Sequence, residues 1–137
     1  MHSLVRSLNA AIMKYPFVEH VGVRIEEHGD GRSRCTLLLQ EHHSNSAGIV
    51  HGGALFTLAD TAMGAALYTT LKPTQICATI ETKINYFKPV VGGTVVCTSE
   101  VISRGRTVAN VEASLHSGAV LMAKANGSFS IFERKQE

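Results

Sequence analysis

The stretch that decides the fold is "NSAGIVHGGALFTLADTAMGAAL", Asn45 to Leu67. A His-Gly-Gly opens a run that is almost entirely apolar, and a single acid, Asp60, stands in its middle. The run predicts a long helix from roughly Gly53 to Leu71, ended by Lys72-Pro73. A helix that is apolar nearly all round must be covered on most sides. An ionised carboxylate buried there without a partner would cost several kcal/mol, about what forces such a group to take up a proton. Asp60 is therefore paired, exposed at an opening, or functional. The plain alternative is an Asp that caps a broken helix or pairs with a strand lysine.

The rest of the chain supplies the cover. Residues 4–14 suggest a short amphipathic helix stopped by Pro16. "VGVRIEEHGDGRSRCTLLLQ" reads as two strands around the turn His28-Gly29-Asp30-Gly31. A polar loop, "EHHSNSAGIV", leads into the long helix. Four strands come after it: "TQICATIETKINYFKP", "GGTVVCTSEVIS", "RTVANVEASLHS" and "AVLMAKANGSFSIFE". Short breaks between long strands imply antiparallel neighbours. The expectation is one α+β domain over residues 1–137, with an antiparallel sheet wrapped around one long helix.

Composition narrows the functions. The 137 residues are 45% hydrophobic with a net charge of +2 and no basic block, which argues against nucleic-acid binding. No stretch reads as a membrane span, because the apolar run holds Asp60. The N-terminus lacks the unbroken apolar core of a secretory signal. Three widely spaced cysteines, Cys35, Cys77 and Cys97, form no C-x-x-C and fit buried thiols in a reducing, cytoplasmic compartment. His42-His43 has no further ligands in register and reads as loop surface, so no metal is expected. No G-x-S-x-G is present, which leaves a serine hydrolase unsupported.

Glycines before a helix let the backbone approach a ligand and leave amide N–H groups pointing outward. With the helix dipole behind them, those amides suit an anion or a developing oxyanion. Plain turn chemistry is the alternative. Gly53 and Asp60 share a face but lie roughly 10 Å apart along the axis. A reacting atom must lie about 3 Å from both acid and oxyanion donor. Either the two are not a site, or two copies meet and each completes the other's.

The pattern N-x-x-G-x-x-H-G-G (Asn45, Gly48, His51, Gly52, Gly53), followed by Asp60 on a long apolar helix, resembles the hotdog-fold acyl-CoA thioesterases. The phenylacetic-acid-degradation (PaaI-like) branch is the most similar. The resemblance covers roughly residues 17–132 and includes "INYFKPV" (Ile84–Val90) and "SRGRTVA" (Ser103–Ala109). It implies a hotdog fold, a homodimer often paired again as a dimer of dimers, and an active site at the dimer interface. It implies that Asp60 is general base or nucleophile in hydrolysis of an acyl-CoA thioester. The Gly52 amide then polarises the thioester carbonyl, Asn45 helps hold the thioester or the attacking water, His51 orients the loop, and Thr79 positions water beside the acid. Nucleotide contacts of CoA fall to Tyr86 and the turn of Arg104, Gly105, Arg106 and Thr107, with Lys83 and Lys88 as further cations. The arginines of an exposed hairpin turn also need no ligand at all. CoA is part of the substrate, and no cofactor is expected. A hotdog module that binds acyl-CoA without cleaving it is the competing reading, and a dehydratase a third whose motif is missing. The acyl group is open, with aromatic and medium-chain acyl groups both compatible.

Overall fold

In a computed structural model the structure describes residues 15–135. The helix expected over residues 4–14 lies outside these residues. Pro16 does not simply stop a helix. It opens one, α1 (Pro16–Val21), from the first helical position, where its fixed φ fits and its missing N–H is no loss. Gly22 closes α1 in the left-handed conformation, φ 98°, with its N–H bonded to the Val18 carbonyl at 3.0 Å.

Strands β1 (Val23–Gly29) and β2 (Arg32–Leu38) form the expected hairpin. Asp30 and Gly31 both have positive φ, 52° and 75°, the backbone of the two-residue turn that matches strand twist. The loop after β2 contains a short 3₁₀ turn (Glu41–His43), and there the sequence expectation needs correction. His42 is exposed, but His43 is buried. Its Nδ1 accepts the Gln40 N–H, and Nε2 faces the Val21 carbonyl. The tight turn rotates its ring into the body of the protein.

The long helix, α2, spans Gly52–Tyr68, three residues short of the expected end. Thr69 and Thr70 stop it by bonding back to the carbonyls of Ala66 and Leu67, at 2.7 and 2.8 Å. Its buried residues are Leu55, Leu58, Ala59, Ala62, Met63, Ala66 and Leu67, a stripe at helical spacing. The stripe packs on the sheet, and Ser33 Oγ adds a 2.6 Å bond to the Ala62 carbonyl. The opposite face carries Gly53, Phe56, Thr57, Asp60, Thr61 and Gly64, none of them buried.

Four strands complete the sheet: β3 (Gln75–Tyr86), β4 (Thr94–Arg104), β5 (Val108–Ser117) and β6 (Val120–Glu133). The order is β1-β2-β4-β5-β6-β3, antiparallel throughout. This is the wrapped helix of the hotdog arrangement. Because β3 crosses to the far edge, among the described residues it pairs with β6 alone, and its other edge carries no strand. That free edge runs beside the open face of α2.

Candidate active site

The centre of the candidate site is Asp60. Thr79 Oγ1 donates to Asp60 Oδ1 at 2.9 Å, and Thr82 Oγ1 lies 3.4 Å from the same oxygen. Residues 79 and 82 would face opposite sides of a regular strand. A bulge at Ile80 changes that. Thr79 pairs with Phe129, Glu81 with Ser128 and Thr82 with Gly127, so the side-chain phase shifts by one. Both hydroxyls then turn toward the helix. Thr82 is a residue that sequence reasoning missed.

Asp60 also stands at a cavity of about 370 Å³. Along α2 the lining runs Asp60, Thr61, Gly64, Ala65 and Tyr68. The β3 side runs from Thr79 back to Ile76, with Phe129 of β6 between. Tyr15 and Val18 of the α1 segment, Ile25 and His28 of β1, and Arg134 complete it. Burial pushes the Cys77 thiol upward, and the neighbouring Asp60 charge adds to the effect. Burial also raises the Tyr15 hydroxyl, with Tyr68 and Cys77 contributing.

A second cluster forms at the start of α2. His51 is its N-cap, with Nδ1 accepting the Gly53 N–H at 2.8 Å, so a neutral ring carries its proton on Nε2. The His51 N–H is held by the His43 carbonyl at 2.7 Å, the Val50 N–H by Val90 O, and the Ala54 N–H by His51 O. Among the described residues, the Gly52 N–H is the amide of this turn left without a protein acceptor. Tyr86 lies against Gly52. Its hydroxyl donates to the Gly52 carbonyl at 2.7 Å, and a Cβ on Gly52 would stand 3.1 Å from the ring. Tyr86 is nonetheless 48% exposed.

Asn45 shapes the preceding loop. Its carboxamide oxygen accepts the N–H of Ala47 at 2.9 Å and of Ile49 at 3.3 Å, and its carbonyl accepts the Gly48 N–H. Gly48 takes φ 78°, where a side chain would strain the turn. Any contact from the Asn45 side chain to a ligand therefore falls to its NH₂ group.

The third group, Arg104 to Thr107, lies at the other end of α2. Arg104 Nε is 3.3 Å from Thr70 Oγ1 and Nη2 is 3.2 Å from Gln75 Oε1, while Nη1 faces the Gly105 carbonyl. The Gly105 N–H bonds to the Val108 carbonyl, and a Cβ there would be 2.7 Å from that oxygen, so the turn requires glycine. Arg106 and Thr107 are exposed. Lys83 and Lys88 are exposed on and after β3. Within one chain, then, Thr79 joins Asp60, and Asn45, His51, Gly52 and Tyr86 gather at the helix start. The arginine turn joins neither. Gly52 and Asp60 are roughly 12 Å apart along the axis.

No group of three or more His, Cys, Asp or Glu side chains capable of holding a metal ion occurs among the described residues. No helix among them is long and apolar enough to cross a membrane.

Comparison with known proteins fits this geometry. Residues 47–122, more than half of the chain, match the thioesterase superfamily. The human acyl-coenzyme A thioesterase 13 is 30% identical over 71% of this chain and 69% of its own length. A solved structure, the conserved protein PA5202 of Pseudomonas aeruginosa, is 37% identical, with a TM-score of 0.85 over 88% of this chain and 96% of that one. The E. coli PaaI protein from the phenylacetic acid degradation operon is 21% identical and shares the fold, with a TM-score of 0.87 over 96% of each chain. The match over residues 47–122, with these relatives, shows that the chain belongs to the thioesterase superfamily and is a thioester hydrolase.

Proposed function

We propose that this protein hydrolyses acyl-CoA thioesters with Asp60 as the reacting acid, in a site completed by a second copy of the chain. The observation that carries the reading is the Asp60–Thr79 contact at the cavity mouth, on the face of α2 that the sheet leaves open. The acyl-CoA substrate is inferred from the likeness to acyl-coenzyme A thioesterase 13.

Two routes use the same groups. As a base, Asp60 takes a proton from water, and the water oxygen attacks the thioester carbon. As a nucleophile, its carboxylate forms an acyl anhydride that water then opens. In both, the carbonyl oxygen becomes an oxyanion, and the C–S bond breaks to release CoA as a thiolate that takes up a proton. Thr79 holds the carboxylate, or its water, in position. The oxyanion needs a donor within about 3 Å, and the Gly52 amide of the same helix is too far along the axis to serve.

The free β3 edge supplies the remedy. A twelve-residue strand with one edge unpaired among the described residues, and with Ile80 59% exposed, is a template for a second β3. Two antiparallel copies would bring the Gly52 amide of one helix toward the Asp60 of the other, and a two-fold axis makes two such sites at once. The dimer would also cover Phe56. CoA phosphates would meet the exposed Arg106 and, after it leaves Gln75, Arg104. Three free thiols fit a reducing cytoplasm.

The test is complementation. Asp60→Asn and Gly52→Val are each expected to lower kcat at least about 100-fold as homodimers. A mixed dimer carries one site with both lesions and one with neither, so activity should return to about half per heterodimer. Wild-type turnover in Asp60→Asn would remove the acid role. Inactive, verified heterodimers would remove the shared site.

A further inference from the structure

We infer that Gly64 sets the length of acyl chain this enzyme accepts, by leaving open the floor of a groove that runs from Asp60 along α2 to Tyr68. The inference rests on the reading of Asp60 as the group that meets the thioester. It begins from a glycine in the wrong place for folding. Gly64 lies inside a seventeen-residue helix, where glycine costs about 0.5–1 kcal/mol relative to alanine.

Packing does not explain that cost. A Cβ built on Gly64 meets nothing within 4 Å outside its own helix backbone. At Gly127 the same construction meets Phe129 at 3.0 Å, the Met63 methyl at 3.1 Å and Thr82 Oγ1 at 3.2 Å, so Gly127 is a packing glycine. Gly64 faces a void, and the void is the cavity that begins at Asp60.

The dimensions suit a chain molecule. Asp60, Gly64 and Tyr68 are successive turns on one stripe, so the helix wall is roughly 12 Å long. The facing wall, Thr79 back to Ile76, is about 10 Å long at strand rise. The two walls start together, because Thr79 is bonded to Asp60. At about 1.25 Å per methylene, from C–C bonds of about 1.5 Å at tetrahedral angles, such a groove holds roughly eight to ten carbons. The cavity volume of about 370 Å³ is well above the ~150 Å³ that encloses a benzene ring. Gly64 sits halfway, where a side chain would cross the groove. Tyr15 and Val18 also line it.

Compare decanoyl-CoA with butyryl-CoA on wild type, Gly64→Ala and Gly64→Val. The ratio of their kcat/KM values should fall about threefold in Gly64→Ala and at least about tenfold in Gly64→Val, since the longer chain loses its far contacts. Gly64→Ala should also melt a few degrees higher than wild type, because it removes the helix penalty. A ratio within about twofold of wild type in folded Gly64→Val overturns the inference and leaves hydrolysis by Asp60 intact. If wild type cleaves neither of these nor phenylacetyl-CoA, the hydrolase reading at Asp60 fails instead. The groove is then judged by calorimetry. A Kd for decanoyl-CoA that weakens about tenfold more than that for butyryl-CoA in Gly64→Val supports it, and equal shifts overturn it.

Discussion

The two faces of α2 obey different rules. One face is a seal: Leu58, Ala59, Ala62, Met63, Ala66 and Leu67 are fully buried against the sheet, and a Cβ on Gly127 of the facing strand would crowd Phe129 and Met63 at 3.0 and 3.1 Å. The other face is a lining: Asp60, Thr61 and Gly64 line a cavity, and a Cβ added at Gly64 would meet nothing within 4 Å outside its own helix backbone. Folding accounts for the first set. It does not ask for a carboxylate, or for a helix-weakening glycine, in the second. Within one helix, departures from what stability alone would choose fall on the side proposed to do chemistry.

That contrast predicts a double dissociation. Leu58→Ala, on the sealed face, should cost about 2–5 kcal/mol of stability through lost burial and the cavity left behind. Its kcat at a temperature where the variant is folded should stay near wild type, since Leu58 touches neither Asp60 nor the groove. Denaturant melts paired with turnover on one acyl-CoA measure both. A large loss of kcat in the folded variant would mean that the two faces are not independent.

The open face should answer the other way. Thr79→Val removes a hydroxyl donating to Asp60 at 2.9 Å and keeps the shape of the side chain. A hydrogen bond to a charged group is worth about 1.5–3 kcal/mol, so kcat should fall about tenfold or more. The 3.4 Å contact of Thr82 is longer, and Thr82→Val should cost about twofold. Thermal melts should barely move for Thr79→Val, because that side chain is exposed. Equal kinetic losses for the two would mean that Thr82 tightens on Asp60 when substrate binds.

Local chemistry made much of this fold legible. The Asp30-Gly31 turn and the period of the α2 stripe are written in adjacent residues, and so is the lone acid. The Thr79 side of the site was not legible from pattern. Ile76, Ala78, Ile80, Thr82, Ile84 and Tyr86 alternate along β3 as an apparent inner face, which would turn Thr79 outward. The bulge at Ile80 reverses the phase of the first half, and it depends on pairing with β6 rather than on β3 itself. Thr79 came only from the family resemblance, and Thr82 from nothing in the sequence. The groove is hidden for a similar reason: a void is made by what several distant segments fail to fill. Pro16 was legible as a breaker, but its role as a helix start depends on residues 17–21 continuing the helix.

The cysteines sharpen the contrast at a smaller scale. Cys35 and Cys97 face each other across β2 and β4, both fully buried against the sealed side of α2. Burial pushes the Cys35 thiol up to about 12, with the Ser33 hydrogen bond opposing it and Glu26 adding a little, and burial raises Cys97 further. Cys77, on the cavity wall, is only partly buried. A thiol reagent on native protein should therefore modify Cys77 first, and the other two only at the rate of unfolding. The raised values also fix the direction of a pH effect. A thiol held neutral in the fold contributes stability that is fully present below the unfolded value near 9. That contribution is lost as pH climbs from there through the folded value near 12. Relative to a Cys35→Ala variant, wild type should lose about 1 kcal/mol by pH 10. The same comparison with Cys77→Ala should show a smaller slope. Matching slopes would place Cys77 in the sealed half of the molecule and not on the wall of the groove.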